Sequence, residues 1–191
     1  LVEGKNLTDA DGQPESHTSL DQLWDNLKRF LDDILPTAED CGIKLAIHPD
    51  DPPLAQLRGQ DRIITSNEAL ERVVNLAPSQ SNGICYCQGA LAPGGVDVEG
   101  GIRKLTPNIH FAHFRNVSGT ADNFHETFHD TGDLNMASLM RAYKESGFSG
   151  PMRPDHAPSL AGETNETPGY EVLGKLYAVG YMKGLIDAVR I

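Results

Sequence analysis

Residues 44–53 read Lys44-Leu45-Ala46-Ile47-His48-Pro49-Asp50-Asp51-Pro52-Pro53, and this stretch decides the fold. Ile43, Leu45 and Ile47 form a short apolar run that predicts a buried strand over 43–47. The strand stops at His48, because the prolines that follow have no N–H with which to continue a sheet ladder. It therefore delivers a histidine and two carboxylates, Asp50 and Asp51, at its C-terminal end. Polar groups at a strand end, followed by a loop, are how an α/β barrel presents its active site. The plain alternative is an ordinary strand exit with solvated aspartates.

Upstream, residues 1–17 are polar and read as a loop. Ser19 and Gln22 have the spacing of a capping box. The helix they open carries Leu20, Leu23, Trp24, Leu27, Phe30, Leu31, Ile34 and Leu35 on one face. Pro36 predicts a kink, and Gly42 the end of the element. Downstream, Thr65 and Glu68 suggest a second capping box, for a helix over 66–77. A strand over 84–87 ends at Gln88-Gly89, and a weak helical segment follows near 96–105. The strand over 109–114 exits through Arg115-Asn116 into a polar loop, after which Asp133 is expected to cap a helix ending at Gly147. A strand over 150–154 ends at Asp155-His156, and a long loop runs to Tyr170 and a last helix over 171–189. One helix followed by four strand–helix units implies a parallel sheet with right-handed crossovers.

Composition narrows the function. The 191 residues carry 27 acidic and 16 basic side chains, a formal net charge of −11 that supplies no basic stripe for nucleic acid or a membrane surface. Mean hydropathy is −0.37, and no run of roughly 18 apolar residues is present to form a transmembrane helix. Nor is a signal peptide visible. Three cysteines make no disulfide framework, which favours the cytoplasm. An acidic protein that handles an anionic substrate needs a local positive centre, either a metal or particular arginines.

The strand period of two supplies such a centre. His48, Cys87, His113 and Asp155 each fall at the C-terminal end of their strand, and parallel neighbours bring those ends to one rim. Two imidazoles, a thiolate and a carboxylate suit a divalent transition ion. Singly, each has a bland reading: Cys87 as a small buried hydrophobe, His113 as a core histidine, Asp155 as a cap. Cys85, one pleat deeper on the same face, competes with Cys87, whereas His110 points away from His113. Arg115 and Arg153 continue the inward faces and are suited to a carboxylate, with salt bridges to Asp50, Asp51 or Glu126 as the alternative. Arg115, with Asn116, Glu126 and His129 in the following loop, makes up the expected substrate-binding set.

Together the strings Ile47-His48-Pro49-Asp50-Asp51-Pro52-Pro53, Ile109-His110-Phe111-Ala112-His113-Phe114-Arg115-Asn116, Arg153-Pro154-Asp155-His156 and Pro168-Gly169-Tyr170 resemble mannonate dehydratases. The resemblance starts near residue 19 and implies a xylose-isomerase-like (β/α)8 TIM barrel, of class α/β. It implies a hydro-lyase that converts D-mannonate to 2-keto-3-deoxy-D-gluconate with Mn²⁺ or Fe²⁺. The metal ligands would be His48, Cys87, His113 and Asp155, and the catalytic positions Arg153 and Tyr170, with Tyr170, His129 or a metal-held water as the general acid. Gln88-Gly89-Ala90 departs from the Thr-Gly-Ser more usual in the family.

A complete barrel takes roughly 250 residues. Residues 1–191 are therefore expected to be the C-terminal part of a single barrel domain, its open edges covered by the rest of the barrel or by a second copy. A sugar isomerase or epimerase of the same class, and a silent half-barrel serving as a binding module, remain the alternatives.

Overall fold

The computed structural model describes residues 18–190; the loop expected over 1–17 lies outside the described residues. Helix α1 (Leu20–Asp40) begins as its sequence requires, with Ser19 and Gln22 closing a reciprocal capping box. It ends in a Schellman turn, in which Ile43 N–H reaches the Ala38 carbonyl at 2.8 Å and Gly42 N–H that of Glu39 at 3.0 Å. Gly42 takes the left-handed conformation this demands, at φ 65°. Pro36 does not interrupt the helix. It lies on the exposed face, where water can take up the carbonyl it leaves unpaired.

The elements that follow are a small hairpin, β1 (Gln56–Leu57) and β2 (Gln60–Asp61), then α2 (Asn67–Leu76), β3 (Ile84–Cys87), the short α3 (Gln88–Leu91) and α4 (Val98–Leu105). After these come β4 (Ile109–His113), a second hairpin of β5 (Val117–Thr120) and β6 (Asn123–Glu126), α5 (Met136–Glu145), β7 (Met152–Arg153) and α6 (Val172–Arg190). The central sheet has the order β3-β4-β7, all parallel, and Ile47 joins its outer side through a parallel bridge to Ile84. Four strand–helix units are thus present, as the alternation of the sequence implies.

Several local expectations are corrected. The first strand is a single bridge, not a buried run over 43–47: it has a sheet partner on one side only, and Ile43 is 54% exposed. The last strand shrinks to two residues because Pro151 and Pro154 bracket it without N–H donors. Ser66, not Thr65, caps α2, accepting from Ala69 N–H. Asn135, not Asp133, caps α5, while Asp133 holds Ser118 Oγ and Gly119 N–H in the second hairpin. That hairpin occupies what reads as an irregular polar loop. Its alternation is hidden because both of its faces carry polar groups.

The core lies between the sheet and the helices on one side, with Leu70, Val73, Ile84, Tyr86, Ile102, Ala112, Phe114 and Tyr143 at its centre. His110 points away from the strand-end cluster and fastens the outer strand, its Nδ1–H donating to the Leu45 carbonyl at 2.7 Å. Gly83 leaves room for that ring, since a Cβ there would stand 2.2 Å from His110 Nδ1. Gly83→Ala should therefore displace His110 and destabilise the chain by about 1–3 kcal/mol. Chemical denaturation reads this directly, and an unchanged midpoint would contradict the packing described.

Candidate metal centre

The ligating atoms of His48, Cys87, His113 and Asp155 lie within 4.8 Å of one another. Sheet register explains the convergence. Cys87 pairs with His113 across β3 and β4, and His113 with Arg153 across β4 and β7. His48 follows directly on the Ile47 bridge. Asp155 follows Pro154, with its backbone in the left-handed region at φ 62°. Such a conformation costs on the order of 1 kcal/mol outside glycine and concentrates at functional sites.

Within the cluster, His48 Nε2 stands 3.2 Å from His113 Nδ1. Asp155 Oδ2 stands 3.4 Å from His113 Nδ1 and 3.8 Å from Cys87 Sγ. Donors bound at about 2.0–2.3 Å to one ion are separated by roughly 3.3–4.6 Å. The cluster has close to these dimensions. Its outer contacts fit as well. His48 Nδ1–H donates to the Pro49 carbonyl at 2.6 Å, which leaves Nε2 as an acceptor facing inward. Asp155 Oδ1 accepts from Arg153 Nη2 at 2.6 Å, which leaves Oδ2 facing inward. The donor set is therefore a group able to hold a divalent ion.

The electrostatics agree. Burial pulls His48 below the ordinary histidine range, which keeps it a neutral donor. Burial pushes the Cys87 thiol well above the ordinary cysteine range, so an ion is needed to hold it as thiolate. Cys85, its rival, is pushed up to about 12 by burial and lies outside the cluster. Burial works against ionisation of Asp155, but its contacts with His113, His156 and Arg153 prevail and hold it well below the usual carboxylate range.

Around the cluster runs a hydrogen-bonded chain. Tyr170 Oη meets His156 Nε2 at 2.7 Å, and His156 Nδ1 meets Glu126 Oε1 at 3.0 Å. Glu126 Oε2 accepts from Arg115 Nε at 2.9 Å, and the same guanidinium reaches Asp51. Arg115 is only 2% exposed. Burial opposes its charge, but Glu126 and Asp51 outweigh burial and hold it above the ordinary range. The salt bridges named as an alternative for Arg115 are thus present, and Arg153 bonds Asp155. Gly89 sits against Arg115, where a Cβ would come within 2.6 Å of the side chain.

Asn116 and His129 stand apart from this chain and fasten loops. Asn116 holds Val117, His129 and Leu134 backbone groups, and His129 Nε2–H donates to the Pro154 carbonyl at 3.0 Å. His156, between Glu126 and Tyr170, carries no role in the sequence reading. Its position beside Asp155 was the available signal.

Two substitutions separate ligand from support. His113→Ala should abolish stoichiometric metal, read by elemental analysis after dialysis. Arg153→Lys should keep the fold and the ion but weaken metal affinity about tenfold or more, since the guanidinium contact that orients Asp155 Oδ1 is lost. Full metal content in His113→Ala would overturn the ligand set.

The model of the family described as D-mannonate dehydratase (UxuA) matches residues 13–191. Mannonate dehydratase 2 of Halalkalibacterium halodurans is 40% identical over 177 residues, covering 90% of this chain and 51% of that protein. The crystal structure of mannonate dehydratase from Streptococcus suis serotype 2 superposes with a TM-score of 0.87 at 37% identity, covering 94% of this chain and 55% of that one. A xylose isomerase domain protein from Planctomyces limnophilus shares the fold at 19% identity, with a TM-score of 0.65. The chain thus has the xylose-isomerase-like TIM-barrel architecture, in part, and spans about half the length of the curated relatives it matches. With its strand-end strings, its sheet and its donor cluster all in agreement, the chain belongs to the D-mannonate dehydratase family.

Proposed function

We propose that this chain carries the metal-binding half of a D-mannonate dehydratase, which removes water across C2 and C3 to give 2-keto-3-deoxy-D-gluconate. The observation that carries the reading is the cluster of His48, Cys87, His113 and Asp155 with the Tyr170–His156 pair beside it. Held by those four residues, a Mn²⁺ or Fe²⁺ ion would polarise substrate oxygens next to C2 and stabilise the negative charge that develops as a general base of the site takes the C2 proton. Tyr170 donates its proton to the departing C3 hydroxyl, which leaves as water, and the resulting enol takes up a proton at C3 to become the ketone. His156 Nε2 is in reach to return a proton to Tyr170, and Glu126 orients its ring. Arg153 keeps Asp155 ionised and adds positive charge at the rim.

The domain is read as the C-terminal part of one barrel, with its open strand edges covered by the remainder of the barrel or by a second copy. The half-length match to the relatives supports this. A cytoplasmic site fits the free state of Cys41, Cys85 and Cys87, and among the described residues no helix is long and apolar enough to cross a membrane.

The metal-loaded protein is expected to convert D-mannonate to the keto-deoxy acid and to leave free ketoses untouched, as followed by product analysis. Tyr170→Phe should lower kcat by about 10²–10⁴-fold with metal content unchanged. Isomerisation of ketoses in place of dehydration would replace this reading with that of an isomerase.

A further inference from the structure

Among the described residues, three cations stand near the metal cluster, and two are already committed. Arg115 is buried between Asp51 and Glu126, and Arg153 is bonded to Asp155. The third is Lys175, in the first turns of α6. Its Nζ lies 4.1 Å from the centroid of the Tyr170 ring. Its charged neighbours are Arg153 and Asp155, yet among the described residues it forms no ion pair. Lys28 and Lys104 are committed to Asp32 and Glu71, and the other described lysines without an ion pair, Lys44, Lys144 and Lys183, are exposed, whereas Lys175 is half-buried. Partial burial and the like charge of Arg153 pull Lys175 below the ordinary lysine range, against the opposing pull of Asp155. A cation drawn from water and facing an arginine gains most when an anion arrives between them. The start of α6 is not that anion's site, because Glu163 already takes the Leu173 N–H at 2.6 Å.

We propose that Lys175 is a substrate-binding residue that receives the carboxylate of the sugar acid, with Arg153 adding charge from the Asp155 side. This rests on the dehydratase reading above and deepens it by assigning the end of the substrate that enters first into contact with α6. C3 lies two bonds from the carboxylate carbon. A carboxylate on Lys175 therefore leaves the C3 hydroxyl beside Tyr170, against whose ring the lysine is stacked. Lys175 thereby couples recognition of the acid to placement of the leaving group.

The test uses the metal-loaded chain with Tyr170→Phe, in which turnover is suppressed and the ring is kept. Calorimetry measures binding of D-mannonate and of its neutral counterpart D-mannitol, with Lys175 intact and with Lys175→Gln or Lys175→Arg. Lys175→Gln should weaken D-mannonate binding about tenfold or more, the loss of one charge-assisted contact, and leave D-mannitol unchanged. Lys175→Arg should restore most of the loss. With Tyr170 intact, Lys175→Gln should raise KM for D-mannonate at unchanged metal content and melting temperature. Unchanged D-mannonate affinity in Lys175→Gln, or equal loss for acid and alcohol, overturns the assignment while leaving the dehydratase reading standing. Failure of the otherwise unaltered chain, with its open edges covered by the rest of the barrel or a second copy, both to bind and to dehydrate D-mannonate overturns the reading and this inference together.

Discussion

Cys87, His113 and Arg153 stand in one row across three parallel strands, and the rest of the site depends on that register. Hydrogen-bonded strands lie about 4.8 Å apart, and side chains alternate faces along each. A row of three therefore spans the distance an ion and its outer contacts need. A slip of one residue would turn each of these groups to the opposite face. The register is guarded by packing on that opposite face, where Ile84, Tyr86 and Ala112 are fully buried against the helices. Tyr86 is further fixed by its hydroxyl, which donates to Asn67 Oδ1 at 2.9 Å. The donor cluster is thus held from behind by an apolar core to which it makes no direct contribution.

Outside the donors, the polar chain from Tyr170 through His156, Glu126 and Arg115 to Asp51 draws its members from four different strand-end segments. It binds the loops to one another as well as to the site. The buried Arg115 is the costly member, for a guanidinium out of water is tolerable only with its carboxylates in place. Losing one partner of such a pair costs about 3–5 kcal/mol. Orientation of His156 and integrity of the rim therefore rest on the same charges. Variants of Glu126 or Asp51 will report on both.

The residues that set the strand phase were legible in the sequence. The prolines after His48 mark the first strand exit, and the period of two then puts His48, Cys87, His113 and Asp155 on a common rim. What was not legible depends on partners remote in the chain. For Arg115 the sequence leaves open a substrate role or a salt bridge to Asp50, Asp51 or Glu126, and only the fold shows that Asp51, 64 residues away, and Glu126 both reach it. Asn116 and His129 are polar residues in a loop and look like binding groups, but in the fold Asn116 holds backbone groups of Val117, His129 and Leu134, and His129 Nε2 meets the Pro154 carbonyl. The second hairpin was hidden by its short, polar strands. The first hairpin turns through Arg58 and Gly59, both at positive φ, and arginine gives no signal for such a turn. Lys175 sits in an unremarkable helix sequence shortly after Tyr170, and only the return of this segment to the rim brings it near Arg153 and Asp155.

The central claim is that one divalent ion binds between a thiolate, two imidazoles and a carboxylate. X-ray absorption at the metal edge of the manganese-loaded protein tests it most directly. The account predicts a first shell of nitrogen and oxygen with a single sulfur neighbour, which disappears in Cys87→Ser. A sulfur-free shell in the unaltered protein, or a sulfur signal that survives Cys87→Ser, would contradict it.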